Sequence, residues 1–343
     1  MNDAPRSTRA LQALLNQRGQ GPSLNIASHE GALARTLGCT YISADLVACE
    51  KASASGVGAV LHSDQVPAGP WATVFFDARE YDPGLAAETV AQVARRLDPR
   101  GVLLTTARKA DVEACFASVV EQGEALVARS PLADLPEVDW PVYTAQFGGR
   151  TFGIQSGPGV FSPRRLDEGT AFMLAQVEAP TPGARFLDLG CGTGVVSRIA
   201  ADAWGCQVTS VDVNARALRL TSTNAPGAEV IASNGFAGLR GREFDMITSN
   251  PPYHTDFGVA RAFIEGAYAH LAMGGMLYLV IKRADWYVQK VRSVFGGCKV
   301  VEQGGYTVII TQKRPPKPKA EPPAATTTRK HAKRMASSHK KHR

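Results

Sequence analysis

FLDLGCGTG (186–194) is the stretch on which the fold turns. Phe186, Leu187, Asp188 and Leu189 form a short, mostly apolar run. Glycines follow at 190, 192 and 194, and then an amphipathic stretch, VVSRIAADAW (195–204). An apolar run that ends in alternate glycines and opens a helix is the context a nucleotide-type loop needs. The glycines let the backbone turn sharply and lie against a ligand, while N–H groups at the helix start face a carboxylate or phosphate. The same GxGxG spacing also marks dehydrogenases, so the loop alone specifies an α/β unit rather than a reaction.

Working outward, β-branched runs alternate with longer amphipathic stretches, the pattern of βαβ units and a parallel sheet. ARFLDLG (184–190), CQVTSVDV (206–213), AEVIAS (228–233), FDMITSN (244–250) and GMLYLVIK (275–282) read as five strands in order. VFGGCKVVEQ (294–303) and YTVIITQK (306–313) read as a final pair, and VARAFIEGAYAHLA (259–272) reads as a helix.

The first half echoes this plan at offsets of about 163 to 174 residues. SLNIASHEG (23–31) aligns with the glycine loop, TYISADL (40–46) with QVTSVDV, and WATVFFDAREY (71–81) with FDMITSNPPYH (244–254). VARRLDPRGVLLTTARK (93–109) aligns with AYAHLAMGGMLYLVIKR (267–283). The glycines at 190 and 192 have Ala27 and His29 as counterparts, and only Gly31 matches Gly194. Asp77-Ala78-Arg79-Glu80 replaces Asn250-Pro251-Pro252-Tyr253. The first half therefore reads as a tandem copy of the same α/β fold that has lost its site.

Two further features sharpen the second half. Asp212 ends the second strand 18 residues after Gly194, where a carboxylate can accept both hydroxyls of a ribose. Asn234 follows the third strand, where an amide can pair with an adenine edge, and Asp188 lies at the strand end beside a ligand amine. Taken singly, the two acids also suit helix caps and Asn234 suits a turn. Ser249-Asn250-Pro251-Pro252-Tyr253-His254 sits at the C-terminal end of the fourth strand, the edge where open α/β sheets bind ligands. The prolines stiffen the turn, so that the Asn250 side chain and the Pro251 carbonyl can both accept hydrogen bonds from one exocyclic amine. Tyr253 offers a face for a flat base, and His254 is a loop residue placed to contact the substrate.

These residues resemble the class I S-adenosylmethionine-dependent methyltransferases. They are most similar to the guanine-N2 enzymes of the ribosomal RNA small subunit methyltransferase C type and their relatives that act on the large subunit. Gly159-Val160-Phe161-Ser162, Leu166-Asp167 and Gly169-Thr170 resemble the segment that leads into that family's catalytic domain. Ala232-Ser233-Asn234 and a degenerate N-terminal copy add to the likeness. The resemblance implies tandem Rossmann-like methyltransferase domains, a degenerate one over 1–148 and a catalytic one over 149–313. It implies methyl transfer from S-adenosyl-L-methionine to the exocyclic N2 of a ribosomal RNA guanine. Asp188, Gly190, Gly192, Gly194, Asp212 and Asn234 would hold the cofactor, Asn250, Pro251, Pro252 and Tyr253 would act on the base, and Phe161, Ser162 and His254 would contact substrate. Adenine-N6 or protein glutamine-N5 methylation shares the chemistry, and an RNA-binding ribosome-assembly factor is the non-enzyme alternative.

Composition sets the partners. Of 343 residues, 44% are hydrophobic and 20% charged, a globular balance. The formal charge is +7, yet Lys313–Arg343 holds 11 Lys/Arg against the single acid Glu321, leaving the preceding residues at −3. This Pro- and Lys-rich end cannot bury enough surface to order itself, so a disordered basic tail is expected over 314–343. It suits either an arm for RNA phosphates or a solubility tail. The six cysteines form no CxxC pair, which argues against a zinc ribbon or a disulfide scaffold, and no metal is expected. No run reaches 18 apolar residues and the N-terminus lacks signal-peptide character. A cytoplasmic, monomeric protein acting on ribosomal RNA or an assembled ribosomal particle, away from membranes, is expected.

Overall fold

The computed structural model describes residues 20–27, 31–136, 140–251, 257–282 and 284–315. His29, Pro252, Tyr253, His254 and the tail beyond Pro315 lie outside the described residues.

Two seven-stranded sheets carry the chain. The first contains β1 (Ser23–Ile26), β2 (Thr40–Ser43), β3 (Val60–His62), β4 (Trp71–Phe76), β5 (Leu97–Thr105), β6 (Phe116–Gln122) and β7 (Ala125–Pro131), in the order β3-β2-β1-β4-β5-β7-β6. A hairpin follows, β8 (Val142–Phe147) with β9 (Arg150–Gln155). The second sheet contains β10 (Arg185–Leu189), β11 (Gln207–Asp212), β12 (Glu229–Ala232), β13 (Phe244–Ser249), β14 (Leu271–Ile281), β15 (Lys299–Gln303) and β16 (Tyr306–Gln312). Its order, β12-β11-β10-β13-β14-β16-β15, repeats that of the first sheet. In both, the first five strands run parallel and the last two close the edge as an antiparallel pair.

The expected α/β tandem is therefore present, and small irregularities repeat with it. β5 and β14 each begin several residues before the regular ladder, with a register shift against β4 and β13. For β14 this adds Leu271–Gly274 ahead of the strand read at 275–282. Gly31 and Gly194 each cap the helix after the first strand of their sheet in a left-handed conformation, at φ 66° and 77°. Only glycine takes that conformation without strain. Asn25 stands in the first sheet where Asp188 stands in the second, and both are buried.

Packing follows from the alternation of side chains along β10. Phe186 packs on one face with Val196, Ile199 and Trp204, while Leu187 and Leu189 pack on the other with Ile264 and Leu277. The hairpin was not legible in the sequence. Its inner face, Tyr143, Ala145, Phe152 and Ile154, joins the core of the second sheet. The boundary expected between residues 148 and 149 falls in the turn of this hairpin.

The two sheets meet beside β11. An isolated antiparallel bridge joins Asp45 to Asn214, flanked by Leu46 N–H donating to Val213 O (2.9 Å) and Ala215 N–H donating to Ala44 O (2.7 Å). Leu46 and Val213 occupy matching positions of the two copies, so the copies pair about a local pseudo-twofold axis.

Candidate active site

At the carboxyl edge of the second sheet lies a cavity of about 690 Å³, lined in part by Asp188, Gly190, Gly192, Asp212, Asn234, Asn250 and Pro251. Phe161, 55% exposed, and Ser162 stand at it too. The structure thus brings together nine of the expected site residues. Gly194 does not line the cavity. It caps the helix Val195–Asp202, and a Cβ there would come within 2.8 Å of Thr221 Cα. At Gly190 and Gly192 an added Cβ would meet nothing within 4 Å, and φ is 80° and 54°. These two glycines keep open the space that a ligand would take, whereas Gly194 serves packing.

Asp188 is buried, and its Oδ2 accepts from Ser197 N–H (3.1 Å) and Ser197 Oγ (2.6 Å). Burial pushes its carboxyl up to about 6, against the lowering effect of the Ser197 hydrogen bonds. Asp212 Oδ2 accepts from Gly192 N–H (3.0 Å) and its Oδ1 from Asn214 N–H (2.9 Å), which joins the second strand end to the glycine loop. Burial raises the Asp212 carboxyl as well. Asn234 is exposed in a turn that Ser233 shapes by donating to Gly235 O (2.8 Å) and accepting from Gly238 N–H (2.9 Å).

Asn250 follows β13, which Ser249 ties to β10 by donating to Leu189 O (2.7 Å). Its Nδ2 donates to Asp167 Oδ2 (3.0 Å) and to Thr170 Oγ1 (2.9 Å). A carboxylate only accepts, so it dictates which end of the amide faces it. Asn250 therefore turns its nitrogen toward Asp167 and is set to present its oxygen elsewhere.

Asp167 and Thr170 received no site role from the sequence, although a signal was present. Asp167-Glu168-Gly169-Thr170 ahead of an apolar run is a helix start. Asp167 caps the helix Glu168–Gln176 by accepting from Thr170 N–H (2.9 Å). Tyr143 of the hairpin also lines the cavity and bonds Thr193 Oγ1 (3.0 Å). Val47, from the first half, lines it as well, and no local pattern announces that.

The equivalent edge of the first sheet carries a cavity of only about 40 Å³, bounded also by Asn214 and Arg216 of the second half. Asp77, the counterpart of Asn250, is held by Arg79 (2.9 Å) and Thr106 (2.8 Å). The N-terminal copy has the fold without the space.

A doubly wound sheet with a glycine loop, an acid ending its second strand and an Asn-Pro pair after its fourth defines a Rossmann-like methyltransferase fold. Residues 151–310 match the family model of the methyltransferase small domain. The chain is 36% identical over 183 residues to ribosomal RNA small subunit methyltransferase C of Sodalis glossinidius, covering 51% of this chain and 52% of that one. It is 35% identical over 190 residues to the Klebsiella pneumoniae protein of the same name, covering 52% and 55%. The chain thus spans about half the length of the curated relatives it matches. A solved structure of the T. thermophilus 16S rRNA N2 G1207 methyltransferase with AdoMet and guanosine superposes with a TM-score of 0.75 at 21% identity, covering 91% of this chain and 93% of that one. That superposition extends the shared fold to both halves.

Proposed function

We propose that this protein transfers a methyl group from S-adenosyl-L-methionine to the exocyclic N2 of a guanine in small-subunit ribosomal RNA. The observation that carries this reading is the orientation of Asn250, whose amide nitrogen is tied to Asp167 and Thr170 at the edge of the glycine-loop cavity. The names of the relatives support the substrate. A guanine must leave its stack to reach such a cavity.

The residues present fit the cofactor. Gly190 and Gly192 leave a cradle that side chains would fill, and Asp212 ends β11 where ribose hydroxyls can bond it. Asp188 offers a carboxylate to a ligand amine from the floor of the same cavity. When bound, S-adenosylmethionine supplies a methyl on a sulfonium sulfur: the S–C bond breaks as the N2–C bond forms, and N2 releases a proton to solvent. Asn250 Oδ1 accepts an N2–H bond and holds the amine in line, which is catalysis by positioning. Phe161 offers an exposed aromatic face at the cavity for stacking. Gly194 supports the loop from behind. In this reading Pro252 and Tyr253 act on the base, His254 contacts the substrate, and the basic tail adds phosphate contacts. A monomeric cytoplasmic protein is part of the same proposal.

The test is methyl transfer from labelled S-adenosylmethionine to small and large ribosomal subunits and their free RNAs from a strain lacking this protein, followed by nucleoside mass spectrometry. N2-methylguanosine confined to RNA of the small particle is expected. N6-methyladenosine, or label only in protein, would overturn the reading.

A further inference from the structure

Asp167 spends one oxygen on its neighbours and keeps the other. Its Oδ2 accepts from Thr170 N–H (2.9 Å), Thr170 Oγ1 (3.3 Å) and Asn250 Nδ2 (3.0 Å). Oδ1 has no hydrogen-bond partner among the described residues, and Asp167 is half-buried on the wall of the cavity. Gly169 fixes this arrangement from outside: a Cβ there would lie 2.6 Å from the Tyr306 ring and 3.1 Å from Asp167 Oδ2.

We propose that Asp167 is the residue that selects guanine, its Oδ1 accepting the N1–H of the base while Asn250 Oδ1 accepts N2–H. This rests on the methyl-transfer reading above and adds the basis of its specificity. Three bases carry an exocyclic amine, and they differ at the ring nitrogen beside it. Guanine has N1–H, a donor, next to its N2 amine. Adenine has the N1 lone pair next to N6, and cytosine has the N3 lone pair next to N4. A carboxylate has acceptors only. Placed beside the atom that holds the amine, it completes a two-acceptor edge matching guanine alone, and it faces adenine or cytosine with two lone pairs in opposition. A glutamine side-chain amide fails in the same way, since a carbonyl oxygen adjoins its nitrogen. A polar site left without its partner rejects the wrong ligand far more strongly than an apolar wall does.

The probe is a pair of free nucleosides, guanosine and 2-aminopurine riboside. The second keeps the N2 amine but has a lone pair at N1 and lacks the O6 oxygen. Each is titrated calorimetrically into the full-length protein saturated with S-adenosylhomocysteine, for wild type and for Asp167→Asn. Asparagine retains the helix cap, so the variant keeps the melting temperature, and Asp167→Ser serves as a second cap-preserving variant. Wild type is expected to bind guanosine at least ~10-fold more tightly than 2-aminopurine riboside. In Asp167→Asn the ratio falls toward about one, because the new amide N–H pairs with the N1 lone pair, and Asp167→Ser weakens guanosine binding alone. Loss of an O6 contact would lower the affinity of both proteins for 2-aminopurine alike and leave the ratio unchanged between them. An unchanged ratio in a folded Asp167→Asn protein, or a wild type without preference, overturns the assignment of Asp167. A wild type that binds guanosine selectively but methylates no ribosomal guanine overturns the methyl-transfer reading instead, and the inference falls with it.

Discussion

Arg216 and Glu88, 128 residues apart, form a buried ion pair that joins the two halves of the molecule: Nη1 donates to Oε2 at 2.8 Å and Nη2 to Oε1 at 2.5 Å. Their side chains are 1% and 4% exposed. Arg216 also donates to Pro158 O (3.0 Å), lies 3.2 Å from Asp64, and stacks with Arg219 on the Trp140 ring at 4.5 and 4.3 Å. It lies in the first turn of the helix Ala215–Asn224, four residues after Asp212.

Breaking that pair should be costly. Glu88→Ala leaves a buried guanidinium short of a counter-charge, and a loss of about 3–5 kcal/mol is expected. Equilibrium urea denaturation checks it. A paired Glu88→Met and Arg216→Met replacement should recover most of the loss.

Asn250→Ala should retain S-adenosylmethionine affinity and reduce kcat about 10²–10³-fold, because the amine loses its acceptor while the glycine loop is untouched. Calorimetry and single-turnover methyl transfer separate the two effects. Loss of cofactor binding would contradict the role given to Asn250.

The glycines should divide by effect. Gly190→Arg drives a side chain into the cavity and should abolish the heat of S-adenosylmethionine binding. Gly194→Ala meets Thr221 at 2.8 Å with φ at 77°, so its primary effect should be a stability loss of roughly 1–3 kcal/mol. Thermal melts beside calorimetry distinguish them.

Asp188 makes the ligand-free protein pH-dependent. Its folded-state value of about 6 lies above the ordinary 3.8, so the fold prefers the protonated acid. That preference is fully present below about 4 and is lost as pH rises through about 6. Asp188→Asn should thus be more stable than wild type at pH 8 by on the order of 2–3 kcal/mol, with the gap narrowing by about half at pH 5. Urea midpoints at the two pH values measure it. Wild-type affinity for S-adenosylmethionine should fall as pH drops below about 6, since protonation removes the carboxylate charge offered to the ligand amine.

Local spacing sufficed for much of this molecule. The glycine loop, the seven strands of the second half and the degenerate echo in the first are patterns of adjacent residues, because strand alternation and left-handed turns are properties of short segments. Asp188, Asp212 and Asn250 were legible for the same reason: each lies at or beside the carboxyl end of a strand, and the parallel sheet carries those ends to one edge. The tertiary structure decided the remainder. The contact from Asp167 to Asn250 spans 83 residues, and that from Glu88 to Arg216 spans 128. Neither leaves a periodic trace, because each depends on how a helix or a sheet settles against another. The hairpin's inner face, the entry of Val47 into the cavity and the removal of Gly194 from it are likewise set by packing across the chain. The sequence alone therefore determined which backbone edge would carry the cavity, and the three-dimensional packing decided which side chains from distant segments would shape it.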